Sequence, residues 1–312
     1  MDSELQEILG LLKKIDSRFG HIEDHLQNVD ERLTALEEAK DGDRKTPREL
    51  KLTSPALTLD KPENEEVILC LDFGTARSKA FATKGADENL VDLAVGTRAG
   101  QATSPHSLLS CVFISNEGQI FFGELAAAKS EHAVALGSRQ RIESFKAMVT
   151  NASPGSDLRA SIYGPAVNPT KAVLSEGDIL TLYLAYLTDM AALELVKRHG
   201  LSRYVRRRFT TPVFKSEHQQ WASDTLRRHY CEAILVADHF TESWQKGIDA
   251  LEAERVLRAA AAQQARVEFL TADSIVEPRA AFASRYRNFE PEKPLRRLIS
   301  IVDAGAGTTD FA

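Results

Sequence analysis

The sequence predicts an α/β layered domain preceded by a coiled coil. Three observations carry that prediction. An unbroken heptad runs over residues 5–36. Two short apolar runs, Val67–Phe73 and Leu298–Val302, each lead into a glycine-containing turn. Between them lies a long helical segment, Glu176–His199, with strand-like segments on either side. The 312 residues are 43% hydrophobic and 27% charged, which excludes a mainly disordered, collagen-like or disulfide-stapled chain.

The heptad places Leu5, Ile8, Leu12, Ile15, Phe19, Ile22, Leu26, Val29, Leu33 and Leu36 alternately three and four residues apart. A strict 3.5-residue period favours supercoiling over packing on a globular core, where the stripe drifts at 3.6. Arg18, His25 and Arg32 at g positions each precede an acidic e position (Glu23, Asp30, Glu37), which suits a parallel in-register assembly. Leu at most a positions with Ile at most d positions leans toward more than two strands. The other reading is an intramolecular pairing with a later helix. Residues 1–40 are therefore expected to form a coiled coil that makes a homo-oligomer through residues 5–36. Residues 41–65 are rich in charge and proline without a period and read as a linker. The folded domain is expected over 66–312.

Within that domain, VILCLDF and SKAFAT (Ser78–Thr83) read as a hairpin turning at Gly74–Arg77. SLLSCVFI and QIFFG read as two further strands. GELAAAKSEHAVAL and SRQRIESFKAMV read as short helices. Glu176–His199 has acidic residues in its first turn, Lys197, Arg198 and His199 in its last, and Gly200 beyond. Tyr204–Phe214 reads as a strand, about 217–265 as a long helical stretch, SIVEPRAAFASRYR as a turn then a helix, and LISIVDAGAGTTDFA as a strand entering a glycine-rich turn.

The mean charge balance, −6 with a pI near 5.8, gives no general drive toward nucleic acid or anionic membrane, and neither is expected as a partner. The run Arg206–Arg208 reads as a solvated strand edge. No stretch reaches the ~18 uninterrupted apolar residues of a membrane span. MDSELQEILG lacks the basic start and apolar run of a secretory signal. Cys70, Cys111 and Cys231 are odd in number and widely spaced, which fits free thiols and a cytoplasmic chain.

Two segments have the composition of phosphate-binding turns: LDFGTARSK (Leu71–Lys79) and VDAGAGTTD (Val302–Asp310). Each ends a strand in Asp and turns through Gly and Thr. Glycine lets backbone N–H groups approach phosphate oxygens, threonine adds a hydroxyl, and a carboxylate holds hydrated Mg²⁺. Neither fits a Walker P-loop or a Rossmann fingerprint.

As a pair these segments resemble the phosphate 1 and phosphate 2 loops of the actin, sugar-kinase and heat-shock-chaperone ATPase superfamily. FFGELAAAKS, IESFKAM, RFTTPVF and VEPRAAFA resemble further segments of its DnaK-like chaperone branch, in the family's order. The resemblance covers about residues 67–312 and implies a ribonuclease-H-like lobe of an actin-like ATPase, with ATP and Mg²⁺ as cofactors. It implies Asp72 and Asp303 around Mg²⁺, mostly through water. It implies Gly74, Thr75, Gly305, Gly307 and Thr308 along the phosphates. Lys146 would place positive charge near the γ-phosphate, and Glu277 and Asp310 would position or deprotonate the attacking water.

The chain departs from the family at Ala306, where the second loop has glycine; at a left-handed φ an alanine costs about 1–2 kcal/mol. Arg77 stands where the family has small or uncharged residues, and residues 241–266 look like an extra surface helix. The chain stops at Ala312, before the family's second lobe, so it is expected to be the front part of a longer switch ATPase with a protein client or partner. Alone it would bind ATP weakly and hydrolyse little. The alternatives are a non-catalytic oligomeric interaction module with a degenerate nucleotide site and a bacterial-actin-like filament protein.

Overall fold

The protein is seen in a computed structural model that describes residues 50–85, 89–100, 104–212, 216–277, 302–304 and 309–311. The heptad segment lies outside these residues. The architecture is mixed α/β, with a mixed main sheet and a smaller antiparallel sheet sharing a helical core.

The main sheet is built from β1 (Val67–Asp72), β2 (Arg77–Lys84), β3 (Asn89–Asp92), β8 (Arg206–Thr211) and β10 (Ile275–Val276) in the order β10-β8-β1-β2-β3, with β4 (Leu108–Leu109) also paired to β2. Strand β2 is antiparallel to β1 and β3, whereas β1, β8 and β10 are mutually parallel. Alternate residues are buried along β1, β2 and β8, so Val67, Leu69, Leu71, Ala80, Ala82 and Phe209 line one face. The expected hairpin is present, with Asp72 opposite Lys79.

The smaller sheet is wholly antiparallel. It contains β5 (Cys111–Ile114), β6 (Gln119–Phe122), β7 (Ile142–Glu143) and β9 (Ile248–Asp249) in the order β7-β5-β6-β9. Val112, Ile114, Ile120 and Phe122 join the main core. Cys111, Phe113 and Phe121 make a satellite cluster with Ala126 of the covering helix. Strands β11 (Val302–Ala304) and β12 (Thr309–Phe311) form an antiparallel pair.

The helices are α1 (Val95–Arg98), α2 (Gly123–Ala135), α3 (Phe145–Asn151), α4 (Glu176–His199), α5 (Ser216–Phe240) and α6 (Ala250–Ala261). Helix α4 is apolar nearly all round, as a fully buried helix is. By length and composition it is apolar enough to cross a membrane, but 89% of its most apolar window is buried inside the fold. Ser175 and Asp178 close a capping box at its start, and Gly200 ends it in the left-handed region at φ 63°. Helix α5 packs along α4, with Tyr230 stacked on Phe209 of β8 at 4.6 Å.

Several expectations change. Residues 50–65 are not all linker: Leu52 and Ala56 are buried in the core, and Ser54 donates to Asp238 on α5 at 2.5 Å. SRQRIESFKAMV is not one helix, because Ile142–Glu143 pairs with Val112–Cys111 and Ser144 turns through the left-handed region (φ 58°) before α3 begins. The stretch 217–265 breaks after Phe240, and the presumed extra surface helix becomes β9 and α6, whose Ala253, Val256, Leu257 and Ala260 enter the core. SIVEP holds a strand, β10, not a turn.

The arginine run also divides. Arg206 is exposed, but Arg207 faces inward and is fully buried, donating to Thr188 Oγ1 (2.8 Å), Val205 O (2.9 Å) and Arg203 O (3.0 Å). Arg203 pairs with Asp189 (2.7 Å) and Asp238 (3.0 Å), so the buried cations face two carboxylates. Burial pushes the Asp189 carboxyl up to about 6 despite these partners.

Candidate functional site

Three parallel strands, β1, β8 and β10, end at one edge of the main sheet, the edge at which open α/β sheets receive ligands. Asp72 ends β1 and is half-buried. Thr210 of β8 donates to its Oδ1 at 3.0 Å and so orients the carboxylate. Glu277 follows β10 directly. Lys146 of α3 reaches it, with Nζ 2.5 Å from Oε2 and the two side chains only 7% and 10% exposed. The structure thus joins Lys146 to Glu277 and sets Asp72 two strands away at the same sheet edge. An ammonium has three donors, so Lys146 can hold Glu277 and still donate to a phosphate oxygen.

The turn after β1 is fixed from beneath. Gly74 N–H donates to Ser78 Oγ (3.2 Å), and Ser110 Oγ donates to Gly74 O (2.9 Å). A Cβ at Gly74 would lie 2.0 Å from the carbonyl oxygen of Arg77, so only glycine permits the chain to double back here. The amide of Gly74 therefore serves the fold, and Thr75, half-buried, is the hydroxyl-bearing residue of the turn. Arg77 is tied to Glu124 at the start of α2 (3.1 Å) and to Ser107 (3.3 Å). This pair is over a third exposed on both sides and contributes little to stability.

Helix α3 is entered through strained backbone at Ser144, a conformation that persists where packing over-determines it. Phe145, the next residue, supplies that packing: it is fully buried and stacks on Tyr183 of α4 at 4.4 Å. Lys146 is the next residue of the helix and is buried as well. Tyr230 lies beneath the strand ends; its buried hydroxyl has no hydrogen-bond partner among the described residues, and burial together with the charge of Asp72 raises its pKa well above the usual phenol range.

Asp303 and Asp310 sit opposite each other in the β11–β12 pair, and their side chains lie outside the described residues, as do Gly305, Gly307 and Thr308. Among the described residues no group of three His, Cys, Asp or Glu is arranged to enclose a metal. One oriented carboxylate, Asp72, does suit Mg²⁺, which keeps most of its waters and takes one or two carboxylates.

Sequence reasoning missed Thr210, Ser78, Ser110 and Tyr183. Ser78 and Tyr183 were visible as polar residues at inward positions of a strand and of an apolar helix, a pattern that requires buried partners.

No protein-family model matches the chain, and no curated protein matches it. The reading of the site therefore stands on its residues and geometry.

Proposed function

We infer that residues 66–312 carry a ribonuclease-H-like lobe of an actin-like ATPase and that the site at the strand ends binds Mg·ATP. The observation that carries the reading is the Lys146–Glu277 pair at the end of β10, on the same sheet edge at which β1 ends in Asp72. Sheet order supports it as well: numbered along the chain, the main strands lie 3-2-1-4-5 with only the second reversed, an order compatible with such a lobe. In this reading Asp72 and Asp303 hold hydrated Mg²⁺, which neutralises phosphate charge. Gly74, Thr75, Gly305, Gly307 and Thr308 follow the phosphates. Lys146 supplies positive charge, and Glu277 and Asp310 orient the attacking water. Positioning and charge neutralisation supply most of phosphoryl-transfer catalysis, and these residues supply both.

Calorimetry of the chain with Mg·ATP tests the reading. Heat of binding that requires Mg²⁺ and weakens at least about tenfold in Asp72→Asn is expected, since one charge-assisted contact is worth that much. Absence of binding at millimolar Mg·ATP overturns it.

The heptad adds self-association to the reading, so that several nucleotide switches act on a protein client from one stalk. Sedimentation is expected to give an oligomer for the chain and a monomer once residues 1–40 are removed. An unchanged mass would refute the coiled coil.

A further inference from the structure

Beneath the Gly74 turn lies a closed group of buried hydroxyls. Tyr183 Oη donates to Ser78 Oγ at 2.9 Å and lies 3.0 Å from Ser110 Oγ, while the two serines are 3.2 Å apart. Ser78 accepts from Gly74 N–H and Ser110 donates to Gly74 O. The protons can be assigned without conflict. Tyr183 gives its proton to Ser78, Ser78 gives its proton to Ser110, and Ser110 gives its proton to the Gly74 carbonyl. Both backbone groups of one residue are thereby held by side chains that converge on a single phenol.

The same phenol ring stacks on Phe145, the residue before Lys146. Tyr183 is fully buried, and burial lifts its pKa to about 12, so it stays a hydroxyl donor throughout the working range of the protein. Its helix, α4, is buried along most of its length, a rigid base for both contacts. One side chain therefore touches the supports of two site elements that are 72 positions apart in sequence, Gly74 and Lys146.

We propose that Tyr183 is a positioning residue that fixes the Gly74 turn relative to the Lys146 helix, so that both meet the phosphates of Mg·ATP in one geometry. The proposal rests on the nucleotide reading above. It assigns Tyr183 no contact with the ligand; Ser78 and Ser110 transmit its effect to the turn.

Tyr183→Phe keeps the stack on Phe145 and removes only the hydroxyl. In the full chain, hydrogen–deuterium exchange at Gly74 is expected to speed up about tenfold, the change that loss of one ordinary hydrogen bond makes. Mg·ATP affinity is expected to fall by a similar factor, while exchange in Ala250–Ala261 stays as in the wild type. Ser110→Ala opens the same group of hydroxyls and is expected to repeat the result, which keeps the test valid if Tyr183→Phe folds poorly. Unchanged exchange at Gly74, or equal acceleration in Ala250–Ala261, overturns the positioning role. A wild-type chain that takes up no Mg·ATP overturns the nucleotide reading instead, while the exchange at Gly74 still decides whether Tyr183 holds the turn.

Discussion

Lowering the pH from 6.5 toward 3 is expected to remove up to about 5 kcal/mol of folding free energy through His229 alone. The imidazole is buried between α4 and α5, and burial, with the nearby Arg159 and Arg228 charges, pushes its pKa down to about 3. Its tautomer follows from its neighbours. Thr181 donates its one hydroxyl proton to Gly177 O (2.9 Å), so His229 Nδ1, 2.8 Å from Thr181 Oγ1, carries the proton and donates. A Cβ on Gly177 would come within 3.2 Å of the ring, so the helix is pared back to admit it. The unfolded chain takes up a proton as the pH falls through 6.5, and the folded chain refuses it until about 3. The stabilisation is therefore complete above pH 6.5 and lost progressively below. Asp189 works in the opposite sense: its carboxyl keeps a proton up to about 6 when folded, so its contribution improves as the pH falls toward 4. Denaturant unfolding of the wild type and His229→Gln across this range separates the two. The stability gap between them is expected to shrink, then reverse, on acidification, whereas parallel curves would refute the assignment.

Much of the frame was legible because it is dictated locally. The β1–β2 hairpin follows from two apolar runs about a glycine turn, and α4 follows from its caps and its length. Asp72 could be placed for the same reason, as the last residue of an apolar strand. What escaped was set by tertiary contact. Arg207 reads as one of three solvated arginines, yet strand alternation turns it inward, where Thr188 and two carbonyls await it. Ile275–Val276 is too short to announce itself and exists as a strand only because β8 lies alongside. Ser144 breaks a stretch that propensity would leave helical, since the β7 pairing and the Phe145 stack demand a turn there. Ile248–Asp249 likewise becomes a strand by adding to the edge of β6, dividing what composition alone presents as continuous helix. Lys146 and Glu277 were singled out by likeness to a motif; that they touch is a property of the folded chain and of no local pattern.

That contact supports the second large effect. Lys146→Met is expected to destabilise the fold by about 3 kcal/mol, because the nearly buried Glu277 carboxylate would lose its lysine partner. The double variant Lys146→Met/Glu277→Gln removes both charges and is expected to recover most of that loss, since replacing a whole buried pair by neutral groups of similar size is often close to neutral. Urea midpoints at unchanged slope measure both. The comparison also separates two roles that a single substitution confounds. A pair that serves only to join α3 to the end of β10 would let the double variant regain nucleotide affinity together with stability. A lysine that meets phosphate would not: the double variant would fold as the wild type does and still bind Mg·ATP at least about tenfold more weakly. Recovery of stability without recovery of binding is the expected result, because a neutral pair restores the packing at the strand ends but supplies no positive charge there.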